Sequence, residues 1–150
     1  MTCVEDIDRQ IVESLLADGR MSYTDLGKVI GLSTSAVHQR VRRLEERGVL
    51  RGFRAVVDPE ALGLALTAFI SVKPIDPAAP DDVPHRLRGL DEVEDCYSVA
   101  GDENYILKVR VGSPSELESL LGRIRTAAEV STRTTIVLST PFEDRSRKLG

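Results

Sequence analysis

Between Ser33 and Arg54 the chain carries six arginines, at 40, 42, 43, 47, 51 and 54, against two acids, Glu45 and Glu46. Guanidinium forks at that density suit bidentate hydrogen bonds to phosphate and to the major-groove edge of guanine. In the same stretch Val37, Val41 and Leu44 stand at i, i+4 and i+7, the seam of a helix that buries one side. That seam turns Ser33, Thr34, Ser35, His38, Gln39 and Arg42 outward or onto its flanks. They are small or hydrogen-bonding near the helix start, where a recognition helix approaches base edges. Arg40, Arg43 and Arg47 lie toward the edges, as candidates for phosphate. Ser22 and Tyr23, at the start of the preceding helix, are placed to touch the DNA backbone. The bland alternative is a solvated basic face. The all-arginine charge and the short helix-turn before it favour double-stranded DNA as partner.

Other chemistries find little support. There is no nucleophile motif, no phosphate-binding glycine loop and no carboxylate pair for acid–base work, so no enzyme is expected. Cys3 and Cys96 are far apart, and neither has a histidine beside it. They read as a free terminal thiol and a buried strand residue. His38 and His85 stand apart from other ligand types, so neither a metal site nor a cofactor is expected.

The elements that must position the arginines follow from period and punctuation. In "EDIDRQIVESLLADGR", Ile7, Ile11, Leu15 and Leu16 make a helical stripe, with acids at its start and Gly19 beyond its end. In "SYTDLGKVIG", Ser22 and Asp25 resemble a capping box, Leu26, Val29 and Ile30 give the apolar face, and Gly31 breaks the helix. Ser33 caps the third helix and Gly48 follows it. Three short helices with a tight turn between the last two make a helix-turn-helix.

After Gly48 the period shortens. "VLRGFRAVVD" is β-rich and "DPEALG" is a turn-bearing hinge. Then come a strand in "LALTAFISVKP", a Pro/Asp-rich connector from Pro74 to Pro84, a short helix in "DDVPHRLRGL" and a strand in "VEDCYSVAG". "YILKVRVG" is a strand, "SPSELESLLGRIRTAAE" a helix opening with serine caps and proline, and "STRTTIVLST" a last strand. The order β-α-β-β-α-β is the ferredoxin-like split arrangement. The expected fold is therefore α+β: a winged-type helix-turn-helix at 1–50, a β-strand hinge at 51–63 and a βαββαβ module at 64–150. The apolar, β-branched runs "AFISV" and "TIVLS" on an open sheet call for a second copy, a homodimer.

Bulk composition agrees. The chain has 150 residues, 41% hydrophobic and 29% charged, with net charge −4. Those are the proportions of a soluble globular protein. No apolar run reaches the roughly 18 residues of a membrane span, and the acidic, polar N-terminus is unlike a signal peptide. A cytoplasmic, nucleoid-associated protein with no membrane partner is expected. The charge is polarised: Glu5, Asp6, Asp8 and Glu13 load the first helix, opposite in sign to the third.

With these residues in view, the chain resembles the Lrp/AsnC, or feast/famine, family of transcription regulators. The resemblance runs through Asp6, Asp8, Ile11 and Leu15, then "DGRMSYTDLGKVIGLSTSAVHQRVRRLEERGVLRGFRAVVDPEALG". Arg40, Leu44, Glu45, Gly48 and the hinge Asp58-Pro59 with Leu62-Gly63 fall where the family has them. "VAGDENYILKVRV" and "STRTTIVLS" match its two signature strands. The resemblance implies regulation of amino-acid metabolism, dimers built through the C-terminal sheets, octamers of four dimers, and an amino-acid effector held at interfaces of the C-terminal module. Carried over, the effector loop is Gly101, Asp102, Glu103, Asn104 and Tyr105, facing Thr132, Arg133 and Thr134. A glycine there lets a backbone N–H approach a carboxylate, and an acid can hold an ammonium group. One residue departs from the pattern: much of the family has Asp just before the Tyr, and this chain has Asn104. An amide cannot neutralise an ammonium. Either Asp102 or Glu103 does so, or the effector differs, or the loop is an ordinary Gly-Asp-Glu-Asn turn. An architectural protein that wraps DNA with low sequence preference and no effector is the competing reading.

Overall fold

The computed structural model describes residues 5–149; Cys3 lies outside them. The chain divides into two compact units, one running to Val56 and regaining the tail from Phe142, the other from Val57 to Pro141. The tail from Phe142 groups in space with the helices. Its Leu149 N–H donates to Glu13 Oε1 at 2.9 Å.

The first unit holds α1 (Asp6–Ala17), α2 (Tyr23–Ile30) and α3 (Thr34–Glu46). Ile11, Leu15, Leu26, Val37, Val41 and Leu44 form its buried core. Serine caps start α2 and α3: Ser22 accepts from the Asp25 N–H at 3.1 Å and Ser33 from the Ala36 N–H at 3.2 Å. Left-handed glycines stop them, Gly31 at φ 82° and Gly48 at φ 70°. Between α2 and α3 the chain folds back so closely that a Cβ on Gly27 would lie 2.5 Å from the Leu32 carbonyl oxygen. Two expected core residues are exposed, Leu16 and Val29. Val29 sits about 200° round α2 from Gly27, the point where the turn packs, so it faces solvent. α1 ends on Asp18 in extended backbone, with Gly19 beyond it.

The expected β hinge is not a strand within this chain. Residues 51–58 have no ladder partner, and Phe53, Val56 and Val57 are exposed. A strand exists only when its N–H and C=O groups are paired, and no described strand of the chain reaches these. A 3-10 turn, Glu60–Leu62, follows.

The second unit is an antiparallel sheet of β1 (Leu66–Pro74), β2 (Val93–Ser98), β3 (Tyr105–Val111) and β4 (Val130–Ile136), in the order β2-β3-β1-β4. α4 (Val83–Leu87) and α5 (Pro114–Ala128) join the strands in the βαββαβ order. The period-2 alternation sorts the side chains. Ala68, Ile70, Val72, Leu107 and Val109 are buried with Leu117, Leu120 and Ile124 of α5. The opposite face carries Phe69, Tyr97, Ile106, Lys108 and Arg133, as the register requires. Cys96 is a free thiol and exposed, not buried: it lies on β2, an edge strand. β4 stops at Ile136, opposite Ala68 near the start of β1, and Leu138 beyond it is fully out in solvent.

Candidate nucleic-acid interface and effector cavity

The buried seam of α3 does set its outward side. Thr34, Ser35, His38, Gln39, Arg42, Arg43 and Arg47 are all exposed. Their commitments differ. Ser33 spends its hydroxyl on the α3 cap. The Thr34 hydroxyl lies 3.3 Å from that of Thr24, tying the start of α3 to α2. Tyr23 packs its ring edge-on to His38, centroids 4.8 Å apart, and so steadies the histidine. Arg42 reaches Glu46 at 2.9 Å one turn along, an exposed i,i+4 pair of the kind that contributes little to stability. The side chains of Gln39, Arg43 and Arg47 hold no hydrogen bond or ion pair among the described residues.

Arg40 is different. Its guanidinium donates to Asp8 at 2.8 Å and to Glu5 at 3.3 Å, and only a quarter of its side chain is exposed. Asp8 is buried, the one buried charged residue among those described. Hydrogen bonds to the two acids, Asp8 first, raise the Arg40 pKa. Arg40 joins α3 to α1 and points away from the outward face, a placement the helix period alone left open. The acids on α1 therefore have a structural use as well as an electrostatic one.

In the second unit, the loop after β2 borders two small open cavities. One, about 230 Å3, is lined by Gly101, Glu103, Asn104 and Tyr105 together with Asp81 and the end of β2. The other, about 290 Å3, is lined by Lys73, Pro74, Pro77, Ala79, Asp81 and Asn104. Each is several times the roughly 30 Å3 of a liquid water. Asn104 is held by its backbone: its N–H donates to the Val72 carbonyl and its carbonyl accepts from Val99, both at 3.1 Å. The Tyr105 hydroxyl donates to Asp81 Oδ1. That hydrogen bond, with burial and the Asp81 charge, pushes the Tyr105 pKa up to about 12.

Not every residue expected at the effector site meets there. Asp102 lines neither cavity. Arg133 pairs with Glu103, so those two charges satisfy each other. Thr132 and Thr134 sit opposite Val72 and Ile70 in the register, on the side that faces α5, and the Thr132 hydroxyl accepts from Arg125 at 3.3 Å. Alternation along β4 separates them from Arg133. Asp81 and Lys73 were missed. The Pro/Asp-rich stretch from 74 reads as a connector, and no periodicity marks a loop residue that folds back over a cavity.

The comparisons with known proteins cover both units. Residues 5–45 match the AsnC-type helix-turn-helix domain, and residues 67–147 match the Lrp/AsnC ligand binding domain. The chain is 55% identical to the HTH-type transcriptional regulator LrpA of Mycobacterium tuberculosis over 142 residues, 95% of each chain. It is 36% identical to the leucine-responsive regulatory protein of Escherichia coli over 140 residues, 90% of this chain and 85% of the relative. A structure of the feast or famine regulatory protein from M. tuberculosis complexed with L-methionine superposes with a TM-score of 0.94, at 54% identity, covering 97% of this chain and 99% of that one. E. coli AsnC superposes at 0.84 with 32% identity, covering 98% and 99%. The named relatives include a transcriptional regulator and regulatory proteins. A helix-turn-helix whose third helix has an open polar face, a four-stranded module with loop-lined cavities and similarity over both units thus converge: the chain belongs to the Lrp/AsnC family of helix-turn-helix transcriptional regulators.

Proposed function

We propose that this protein is a sequence-specific, DNA-binding regulator of amino-acid metabolism, working in the cytoplasm on the nucleoid as a homodimer or an octamer of four dimers. The observation that carries it is the uncommitted outward face of α3, where Gln39, Arg43 and Arg47 are free for DNA and Thr34, Ser35, His38 and Arg42 stand beside them. Gln39 and Arg42 read base edges, and Arg43 and Arg47 hold phosphates. Ser22, Tyr23 and Ser33 support the approach, and Arg40 is withdrawn from the phosphate set by Asp8. An amino acid bound beside Gly101, Asn104 and Tyr105 tunes assembly or DNA affinity. The L-methionine complex of a relative 54% identical supports an effector of this class. Dimerisation uses the open face of the sheet, where Phe69 and Tyr97 are exposed. The unpaired segment 51–58 is available to a second copy as well.

The test is a titration with an upstream duplex from the protein's own operon and with a random duplex of equal length, across a salt series. A specific regulator prefers one sequence by about 10³ or more, with log affinity falling steeply in log salt. A ratio near one at every salt concentration overturns the specific reading in favour of an architectural protein.

A further inference from the structure

An amino acid at the cavity brings an ammonium group that needs a carboxylate, and Asn104, which lines both cavities, carries none. The carboxylates near the loop are not equivalent. Asp102 lines neither cavity. Glu103 lines one, but Arg133 already neutralises it. Asp81 lines both cavities, and Asn104 is the other residue common to the two. Asp81 has no ion pair among the described residues. Its single described partner is the Tyr105 hydroxyl on Oδ1, and a carboxylate has about four acceptor positions, so most of its capacity is left. Tyr105 is buried and its hydroxyl fixes the carboxylate at the cavity wall. Lys73 lines the second cavity, with no ion pair among the described residues and the sign that suits an α-carboxylate.

We infer that Asp81 is the ammonium-binding carboxylate of this chain's effector site, taking over from the other side of the cavity the charge that position 104 lacks. Asn104 then offers its amide oxygen as a second acceptor to the same group. The ligand class is a free α-amino acid, bound through its charged ends, with the side chain left to select among them. This inference rests on the effector reading above.

The experiment is calorimetric titration of the full chain with L-methionine, the remaining amino acids being tried if it gives no heat. It compares the parent with Asp81→Asn and with the double variant Asp81→Asn/Asn104→Asp. Asparagine at 81 still accepts from Tyr105, so the loop keeps its support. Losing one charge-assisted contact is expected to weaken binding about tenfold or more, and the double variant to recover most of that loss. Parent and Asp81→Asn binding within twofold of each other overturns the inference and leaves the effector reading standing. A loss that the double variant does not recover also overturns it, because the charge would then not be what matters at that spot. A parent that binds none of the twenty amino acids overturns the effector reading itself.

Discussion

Two arginines one turn apart show how much a single side chain's partners decide. Arg40 is held by buried Asp8, whereas Arg43 is exposed and uncommitted. Removing one partner of a buried pair costs about 3–5 kcal/mol, and the partial exposure of Arg40 reduces that, so Arg40→Ala should lower stability by about 2 kcal/mol in urea denaturation. Arg43→Ala should leave stability within about 0.5 kcal/mol, yet lower the salt slope of DNA binding by about one. If Arg40→Ala is as stable as the parent, the pair is not what joins α1 to α3. Tyr105 makes a second residue-scale case. Its pKa is raised, to about 12, by the Asp81 hydrogen bond, by burial and by the Asp81 charge. The folded state therefore favours the protonated phenol. That contribution is complete below the unfolded value of about 10 and is lost as pH rises from there toward about 12. The urea midpoint of the parent should fall through this window, and that of Tyr105→Phe should fall less.

At the scale of elements, two helical glycines of the same type have opposite prospects. Gly27 lies in α2 where the Leu32 carbonyl would be 2.5 Å from an added Cβ. The obstacle is backbone and cannot swing aside. Gly27→Ala should therefore cost about 1–3 kcal/mol by overpacking, and weaken DNA binding with it because α3 follows that turn. Gly122 lies within α5 with nothing near its missing Cβ. Gly122→Ala should stabilise by about 0.5–1 kcal/mol through helix propensity. Both shifts are read from melting midpoints, and a stabilised Gly27→Ala would mean that the turn between α2 and α3 has room for a methyl group. Caps and breakers were legible here because they are local. The serine caps at 22, 33 and 113 act within three residues: Ser113 accepts from Glu116 N–H, while Glu116 reaches back to the Gly112 N–H at 2.8 Å. The β hinge was not legible, because strand propensity names a segment that could pair without naming a partner.

For the whole molecule, the βαββαβ module covers one face of its sheet with α4 and α5 and leaves the other open. Phe69 is at the middle of that open face, between Lys108 and Thr135 on the neighbouring strands. A glutamate at this partly exposed strand position leaves the backbone pairing of β1 with β3 and β4 intact and so should not disturb the fold. In a dimer it would bury a charge against a second copy. On the proposed dimer, the parent should sediment as a dimer at micromolar concentration and Phe69→Glu as a monomer that binds a two-half-site operator far more weakly. A dimeric Phe69→Glu would place the interface elsewhere.

By itself the sequence determined the helices, the four strands of the C-terminal module, their order and the family, because periodicity, caps and turn residues act over a few positions and survive in any context. It also determined the exposed side of α3, since a seam at Val37, Val41 and Leu44 leaves one way for the rest of the helix to point. Tertiary structure decided which charges were already spent. Arg40 went to Asp8 across helices, Arg133 went to Glu103 across the sheet, and Asp81 came over the cavity to meet Tyr105. Each of those pairs joins residues 24 or more positions apart. Contacts at such separations are set by how the helices and strands pack, and no local pattern in the chain encodes them.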